Sequence, residues 1–412
     1  MNPSIAPRLP AVLAFAAAAA VSLSTPRTGH AAIDFYALPH INRIALAAGA
    51  PDSLLLATRA GVLRLTRAGK VEQIALGDDN VTLLRADPRD PGILYASGRR
   101  RGRDGKNLGL LISRDGAKTW TPLSPGAGAP AVYRTLAVSR ADPSVMYAGY
   151  GGLQASRDAG KSWDFVARGP WDLYDLAASA NDVATLYAAS RGGLLRSTDA
   201  GLHWRLAIDV PNVATAVTVG RRGEIYAYVA GRGLIHGIEP IFAWQTRNDR
   251  LGEQMITQLL IDAADAKHLI ALNHLGRVIE SRDSGLTWHA FGGDRVPASA
   301  AAQRGAELFR ANCRMCHGER GVGEKPSEAA LSNPDYLRAP ALDDSTHAWH
   351  HDDEDLKKDI LEGSEREPRM RAFKNKLSAD DASDLVAYIK SLWGPKALSC
   401  QGKRHMAPEC RR

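Results

Sequence analysis

Cysteine is scarce in this sequence, and its distribution limits the chemistry of its thiols. The 412 residues contain four cysteines, two at positions 313 and 316 and two near the C-terminal end. No second Cys-x-x-Cys pair follows the first, so a closed zinc site with four ligands is not expected. Aromatic residues make up only 6% of the chain. Because no run of lysines and arginines is interleaved with them, nucleic acid is not expected as a partner.

Long apolar runs are also missing. The run at residues 11–23 has 13 residues, whereas crossing a bilayer takes about 20. With Arg8 before it and Gly-His-Ala-Ala at 29–32 after it, the run predicts an export signal over residues 1–31, cleaved near Ala31 or Ala32. We therefore expect a periplasmic protein without a permanent membrane anchor.

Composition and length favour a globular protein of more than one domain. Hydrophobic residues make up 45% and charged residues 24% of the chain, which excludes disordered, collagenous and polytopic membrane proteins. The net charge of +7 is unevenly distributed, since residues 298–412 hold 19 basic and 19 acidic residues. The positive excess therefore lies before residue 298.

An octapeptide recurs along the first 297 residues. Its copies are SRDGAKTW at 113–120, SRDAGKSW at 156–163, STDAGLHW at 197–204 and SRDSGLTW at 281–288. The aspartates of these copies, separated by 43, 41 and 84 residues, are Asp115, Asp158, Asp199 and Asp283. Short apolar strands and glycine-rich turns surround each copy. A period of about 42 residues predicts the blades of a β-propeller, with eroded copies supplying the blades that lack the octapeptide.

These octapeptides resemble the Asp-box, or BNR, repeat of sialidase-like and photosystem-assembly-factor-like propellers. The resemblance implies a six-bladed propeller over residues 33–297, and we expect the strand around 41–46 to complete the last blade and close the ring. Serine and aspartate in the box can bond to their own turn, so a structural role is expected for the aspartates; binding of metal ions is the alternative. No Arg-Ile-Pro motif of the sialidases occurs, so sialidase activity is not expected.

Helical periodicity replaces the strand pattern after residue 298 and leads into Cys313-Arg-Met-Cys316-His317. This is the attachment signature of c-type haem. Two thiols three residues apart can form thioethers with both vinyl groups of one haem, and the adjoining imidazole then reaches the iron. The motif predicts one covalent haem c with His317 as the proximal ligand.

Residues 298–395 resemble an all-α class I cytochrome c. The resemblance implies that the Pro340 carbonyl orients the proximal histidine, and that Met370, in a Met-Arg-Ala-Phe segment, is the distal iron ligand. His350 or His351 is the alternative ligand. A helix is expected over 355–362, and another over 379–392 that begins at Ser378 and Asp381.

Two further features flank the expected haem. Five cations form a basic rim beside Met370: Arg366, Arg369, Arg371, Lys374 and Lys376. This rim either steers an acidic redox partner or is merely solvated. In the tail, residues 396–412, an oxidising compartment favours a disulfide between Cys400 and Cys410. Copper binding, by the tail cysteines with His405 and Met406 or by His350 and His351, is the alternative.

The sequence thus favours an all-β six-bladed propeller followed by a class I cytochrome c domain. One-electron transfer by the haem, with the propeller as a docking or scaffold domain, is the expected function. An oxidoreductase whose propeller binds a substrate, and a copper-handling redox protein, are the alternatives. The sequence does not specify the oligomeric state.

Overall fold

The computed structural model describes residues 33–410 except 34, 36–37, 103–104, 124–130, 171, 253, 326–332, 334, 365–366, 403–406 and 408–409. Within these residues, 24 strands form six sheets of four strands each, and five α-helices follow them. Each sheet contains four strands that are consecutive in the chain. The chain is therefore a six-bladed β-propeller followed by a helical domain, as predicted. The expected export signal over residues 1–31 lies outside the described residues.

The first three blades comprise β1 (Ile41–Leu46), β2 (Ser53–Thr58), β3 (Gly61–Thr66), β4 (Val71–Ala75), β5 (Asn80–Ala86), β6 (Leu94–Arg99), β7 (Asn107–Ser113), β8 (Thr121–Pro122), β9 (Thr135–Val138), β10 (Met146–Gly149), β11 (Leu153–Ser156) and β12 (Asp164–Ala167). The last three comprise β13 (Leu173–Ala178), β14 (Leu186–Ser190), β15 (Gly193–Ser197), β16 (Arg205–Leu206), β17 (Ala214–Val219), β18 (Glu224–Val229), β19 (Gly233–Ile238), β20 (Gln245–Asn248), β21 (Ile256–Ile261), β22 (Leu269–Asn273), β23 (Val278–Ser281) and β24 (His289–Ala290). The helices are α1 (Ala300–Asn312), α2 (Arg314–His317), α3 (Asp353–Glu362), α4 (Ala379–Ser391) and α5 (Pro395–Ser399).

Burial along each blade explains its strand sequences. The second strand of every blade is almost wholly buried, because a neighbouring blade covers each of its faces, and it is accordingly apolar, as in Ser53–Thr58 and Leu186–Ser190. The fourth strand of every blade lies at the outer edge and is largely exposed, as in Val71–Ala75. The apolar core of the propeller thus lies between the blades.

The ring closes differently from the sequence-based expectation. The strand at 41–46 does not complete the last blade; it is β1, the innermost strand of the first blade. Closure occurs through the Gln258 side chain on β21, which accepts a hydrogen bond from Ile44 N–H (2.8 Å) and donates one to Ile44 C=O (2.9 Å). Apolar side chains from the first and last blades, including Leu56 and Phe291, pack beside this contact. The expectation was wrong because four strands already follow one another in each blade, which leaves none to exchange.

The four Asp boxes share one hydrogen-bond pattern. In the box of β11, Ser156 Oγ accepts from Gly160 N–H (2.8 Å) and donates to Asp158 Oδ1 (2.8 Å). Asp158 also accepts from the Ser162 hydroxyl (2.6 Å) and the Ser162 N–H (2.9 Å). The Trp163 indole N–H donates to Gly160 C=O (3.1 Å). The carboxylate is therefore engaged by its own turn.

The first box forms the same turn despite its altered sequence. Ala117 occupies the position of the turn glycine with φ 77°, a left-handed conformation that an alanine adopts at a cost. Its N–H still donates to Ser113 Oγ (2.9 Å), and Asp115 accepts from Thr119 N–H (2.9 Å). Asp199 and Asp283 accept the corresponding bonds in the remaining two boxes.

Two helices form the centre of the C-terminal domain. Helices α1 and α4 cross at Gly305, where a side chain would overlap the Asp384 carbonyl oxygen. Phe309 and Tyr388 pack across the same crossing with ring centroids 5.1 Å apart. Ser378 and Asp381 form the predicted capping box of α4. Among the described residues, no helix combines the length and the apolar character that crossing a bilayer requires.

We expect the Asp boxes to make stability depend on acid. Hydrogen bonds from Ser162, and then from Ser156, lower the pKa of Asp158 from 3.8 to about 2. A lowered pKa stabilises the folded state at pH values above 4, and this contribution disappears as the pH falls through 2. The Tm of Asp158→Asn should therefore fall less steeply between pH 4 and pH 2 than that of the unmodified protein. Asp164→Asn, at an exposed aspartate of the same blade, is the control, and parallel curves for Asp158→Asn and the unmodified protein would contradict the prediction.

Candidate haem-binding site

The Cys-x-x-Cys-His segment lies at the junction of α1 and α2. Cys313 ends α1, its N–H donating to Phe309 C=O (2.8 Å), and its own carbonyl accepts from His317 N–H (2.9 Å). This single helical turn brings both cysteines and His317 to one end of the α1–α4 crossing. Glycine is needed directly afterwards, because Gly318 has φ 73° and lies against the backbone of Gly323.

Both cysteines of the segment are free thiols, in different surroundings. Cys313 is half-buried and Cys316 is exposed. Burial, followed by the proximity of Cys316, raises the pKa of the Cys313 thiol to about 11. Met315, between them, is 96% exposed. The thiols are thus uncommitted to any disulfide, and one of them borders the helical core.

His317 is buried and fixed by one backbone group. Its Nδ1 lies 2.8 Å from the Pro340 carbonyl oxygen, and only 8% of the residue is exposed. Because a carbonyl can only accept, Nδ1 carries the hydrogen and Nε2 keeps its lone pair. Burial lowers the pKa of the imidazole, so the neutral form that can bind a metal predominates.

These donors fit a c-type haem. The fit rests on two free thiols one helical turn apart and on a neutral imidazole whose second nitrogen is already bonded to a carbonyl. That second bond is the usual orienting contact of a metal-binding histidine. The residues that would hold the group are Cys313, Cys316 and His317.

Met370, the distal ligand that the resemblance implies, lies in the loop between α3 and α4. The loop folds back on itself: Met370 N–H donates to Glu367 C=O (2.9 Å), and Ser364 N–H donates to Met370 C=O (3.1 Å). Gly363, at the end of α3, lies so close to Met370 C=O that a side chain there would clash with it. The backbone position of Met370 is therefore well defined.

A network that sequence analysis missed joins the Met370 loop to the His317 segment. The Arg369 guanidinium donates to both oxygens of Glu324 (3.1 Å each) and to the Tyr336 hydroxyl (2.6 Å). Glu324 also accepts from Ala339 N–H (2.9 Å), next to Pro340. Hydrogen bonds from Arg369 lower the pKa of Glu324 against the opposing effect of burial. No local pattern indicates this contact, because residues 324 and 369 are 45 positions apart.

The same network changes the interpretation of the basic rim. Arg369 pairs with Glu324 and Glu367, so its charge is compensated. Arg371, Lys374 and Lys376 are exposed, and Arg366 lies outside the described residues.

The histidine pair and the C-terminal tail lie against each other. Gly402 N–H donates to Trp349 C=O (3.1 Å) and the Gln401 amide to His351 C=O (3.1 Å). Cys400 and Cys410 form a disulfide with Cα atoms 5.5 Å apart, both residues buried. The disulfide removes both thiols as copper ligands. His405 and Met406 lie outside the described residues.

The segments around His317 and Pro340 also contact the propeller. Two buried carboxylates, Asp343 and Asp344, pair with Arg277 from the β22–β23 turn, the Asp343 contact measuring 2.7 Å. Arg295, just after the last blade, contacts Asp344 (3.0 Å) and Leu392 C=O (2.9 Å).

Two cations of the helical domain complete this contact. Arg320 pairs with Asp294 and donates to Trp288 C=O (2.7 Å), and Lys325 pairs with Asp249 (2.6 Å). Four cationic side chains, two from each domain, thus bridge the last part of the propeller and the loops beside His317.

Comparison with known proteins agrees with the geometry of the helical domain. Residues 300–389 match the family model described as "Cytochrome C oxidase, cbb3-type, subunit III". The cytochrome bc1 complex cytochrome c subunit of Corynebacterium diphtheriae is 37% identical over 95 residues, which cover 23% of this chain and 28% of that protein. The corresponding subunit of Corynebacterium efficiens is 35% identical over 88 residues, covering 21% and 25%. The chain thus spans about a quarter of the length of these relatives.

Solved structures similar to this chain include two of low identity. A GH74 enzyme of Niastella koreensis is 16% identical with a TM-score of 0.46, covering 61% of this chain and 45% of that one. YCF48 from Cyanidioschyzon merolae is 17% identical with a TM-score of 0.41, covering 61% and 85%. Neither similarity bears on function. Together with the thiol and imidazole geometry, the family match establishes that the C-terminal helical domain of this chain is a cytochrome c domain, attached to a six-bladed β-propeller.

Proposed function

We propose that this protein is an exported carrier of single electrons, with one covalent haem c in the domain at residues 298–395 and the propeller at 33–297 as its scaffold. The observation that carries the proposal is the Cys-x-x-Cys-His turn whose His317 Nδ1–H is bonded to Pro340 C=O at 2.8 Å. When bound there, haem supplies one-electron oxidation and reduction, and ligation by both His317 and Met370 leaves no open position for a substrate.

The residues around the site perform distinct tasks in this proposal. The Pro340 carbonyl holds the imidazole in one orientation and increases its donor strength. The Arg369–Glu324 contact ties the Met370 loop to the segment before Pro340. This contact fixes the positions of the two proposed ligand loops relative to each other.

Covalent attachment of one haem is the first expected outcome. The full-length protein, purified from a host with haem-attachment machinery, should have the mass of residues 32–412 or 33–412 plus one haem and should titrate as a one-electron couple. The double variant Cys313→Ala, Cys316→Ala should lose the haem, because both thioethers are gone. The double variant Cys400→Ala, Cys410→Ala is the matched control and should keep it. A mass equal to the bare polypeptide would refute the proposal.

Met370 as the distal ligand has its own spectroscopic signature. The oxidised protein should show a weak near-infrared sulfur-to-iron absorption band. We expect Met370→Ala to lose this band and to have a lower midpoint potential, since methionine ligation raises the potential. Met315→Ala, at the exposed methionine between the two cysteines, should change neither quantity. Unchanged spectra in Met370→Ala would transfer the assignment to His350 or His351.

The scaffold role of the propeller is supported by its contact with the loop that contains Pro340. Pro340 lies only three residues before Asp343, and Leu342 N–H and Asp343 N–H both donate to Gly321 C=O (2.7 and 3.2 Å). Asp343 and Asp344 are buried at 5% and 1% exposure, and Arg277 of the propeller pairs with both. Arg277 is thus a positioning residue for the loop that orients His317.

Removing the positive charge of Arg277 should lower both the stability of the protein and its midpoint potential. Arg277→Met leaves two buried carboxylates short of a partner, which typically costs about 3–5 kcal/mol. The lost positive charge favours the oxidised haem, so the midpoint potential should fall. Arg282→Met is the control, because Arg282 is exposed on the same blade and pairs with Glu280, away from the haem domain. An unchanged potential in a folded Arg277→Met protein would contradict the positioning role.

The electron partner in this proposal is an acidic redox protein. Arg371, Lys374 and Lys376 are exposed beside Met370 and supply the positive surface for it. Such a surface accelerates encounter with a negatively charged partner, and salt weakens the effect.

A further inference from the structure

A cavity lies at one mouth of the propeller channel. It has a volume of about 840 Å³ and is bordered by the end of β1 and by the turns that join the first and second strands of the other five blades. Every blade contributes lining residues, among them, one from each blade, Ala45, Arg85, Ala137, Leu176, Thr218 and Leu260. Ligand sites commonly have volumes of about 300–1,000 Å³, so the cavity has the size of a small-molecule site.

This mouth faces away from the cytochrome domain. In each blade the turn between the first and second strands is on one face of the ring, and the turn between the second and third is on the other. Arg277 lies in a turn of the second kind, and Gly252, which touches Val322 and Gly323, lies in a connection between blades on the same face. Inner strands of about six residues separate the faces by about 20 Å. The cytochrome domain therefore leaves the cavity open.

Positive charge predominates among the side chains at the mouth. Five cations border it that have no carboxylate within 4 Å among the described residues: Arg89, Arg140, Arg221, Arg222 and Lys267. The lining also contains four acids, which keep their negative charge while they accept hydrogen bonds within their own turns, so six cations, Arg85 included, outnumber them. Asp87 accepts from Arg89 N–H (2.9 Å), Asp262 from Ala264 N–H (2.9 Å), Asp265 from Lys267 N–H (3.0 Å) and Glu224 from Arg222 N–H (2.9 Å).

Three of the arginines are held in place by backbone carbonyls of neighbouring blades. Arg89 donates to Arg140 C=O and Ala141 C=O, both at 2.7 Å, and Arg140 donates to Pro88 C=O. Arg221 donates to Ala263 C=O (3.3 Å). Each guanidinium has five N–H groups, so these contacts leave further donors for a ligand.

Mutual repulsion adds to this arrangement. Burial, and then the positive charges of Arg221 and Arg89, lower the pKa of Arg140. The charges of Arg221 and Arg89 are therefore close enough to act on Arg140, and the nearby Asp87 carboxylate opposes their effect. An anion between them would offset the repulsion and accept their remaining hydrogens.

We propose that this cavity binds a small multivalent anion, of the di- or tricarboxylate or phosphate class. A small ligand fits because the cations line a concave channel mouth, where a folded partner cannot reach all of them. The site is independent of the haem and goes beyond the electron-carrier proposal. Its position on the far face means that the ligand does not exchange electrons with the haem directly.

Titration calorimetry on the full-length holoprotein at low salt tests the proposal, with citrate and pyrophosphate as separate probes. We expect at least one probe to bind, with affinity falling as salt rises. Citrate binding alone would assign the carboxylate class, and pyrophosphate binding alone the phosphate class. Because the cavity is on the far face, binding should leave the midpoint potential unchanged, whereas an anion on the rim at 371–376 would shift it and overturn the assignment.

Two double variants locate the site. Arg140→Gln with Arg221→Gln should weaken binding at least tenfold. Should that protein fail to fold, Arg222→Gln with Lys267→Gln removes two exposed charges whose side chains make no described hydrogen bond, and should weaken binding at least threefold. Arg205→Gln, at an exposed arginine on the outer strand β16, should bind like the unmodified protein. Three results would overturn the proposal. They are no binding of either citrate or pyrophosphate, equal affinity in a folded cavity variant and the unmodified protein, and binding of poly-glutamate without binding of either small anion.

Discussion

Asp344 is the residue on which the arrangement of the two domains depends. It is 1% exposed, and its carboxylate accepts from Arg277 and Arg295, on the propeller side, and from Gly394 N–H after α4 (2.7 Å). A buried carboxylate is tolerated only with such compensation, and removing one partner leaves an uncompensated charge. The turn of the sixth blade, the chain after that blade and the end of the last long helix must therefore meet at this point. The loop that contains Pro340 is held in place as a result.

The local patterns of the sequence were sufficient to predict the blades, the start of α4 and the helical turn that contains the two thiols. A period of about 42 residues specified the blades, since each blade is one continuous segment that repeats the same burial pattern. Ser378 and Asp381 predicted the start of α4 because a capping box involves only four neighbouring residues. The Cys-x-x-Cys-His segment is similarly local, since one helical turn sets the spacing of its thiols and imidazole.

Contacts between distant residues could not be predicted in the same way. Arg277 and Asp343 are 66 positions apart, and Arg369 and Glu324 are 45 positions apart. Nothing in the immediate surroundings of these residues distinguishes them from solvated charges, so the sequence pattern groups Arg369 with the exposed cations of the basic rim. The blade to which strand β1 belongs also depends on the whole ring, and the expectation for it was wrong. A single sequence carries the propensity of each segment, whereas the pairing of segments follows from packing.

The contact between Gln258 and Ile44 has a consequence for the order in which the propeller is completed. Its two residues are 214 positions apart, and no strand is exchanged between the first and last blades. A ribosome makes Ile44 long before Gln258, so the nascent chain holds an open arc of blades until the sixth is present. During that interval the apolar faces of the first blade that later contact the sixth are uncovered. Synthesis therefore presents a stage at which this seam is open to aggregation, and completion of the last blade ends that stage.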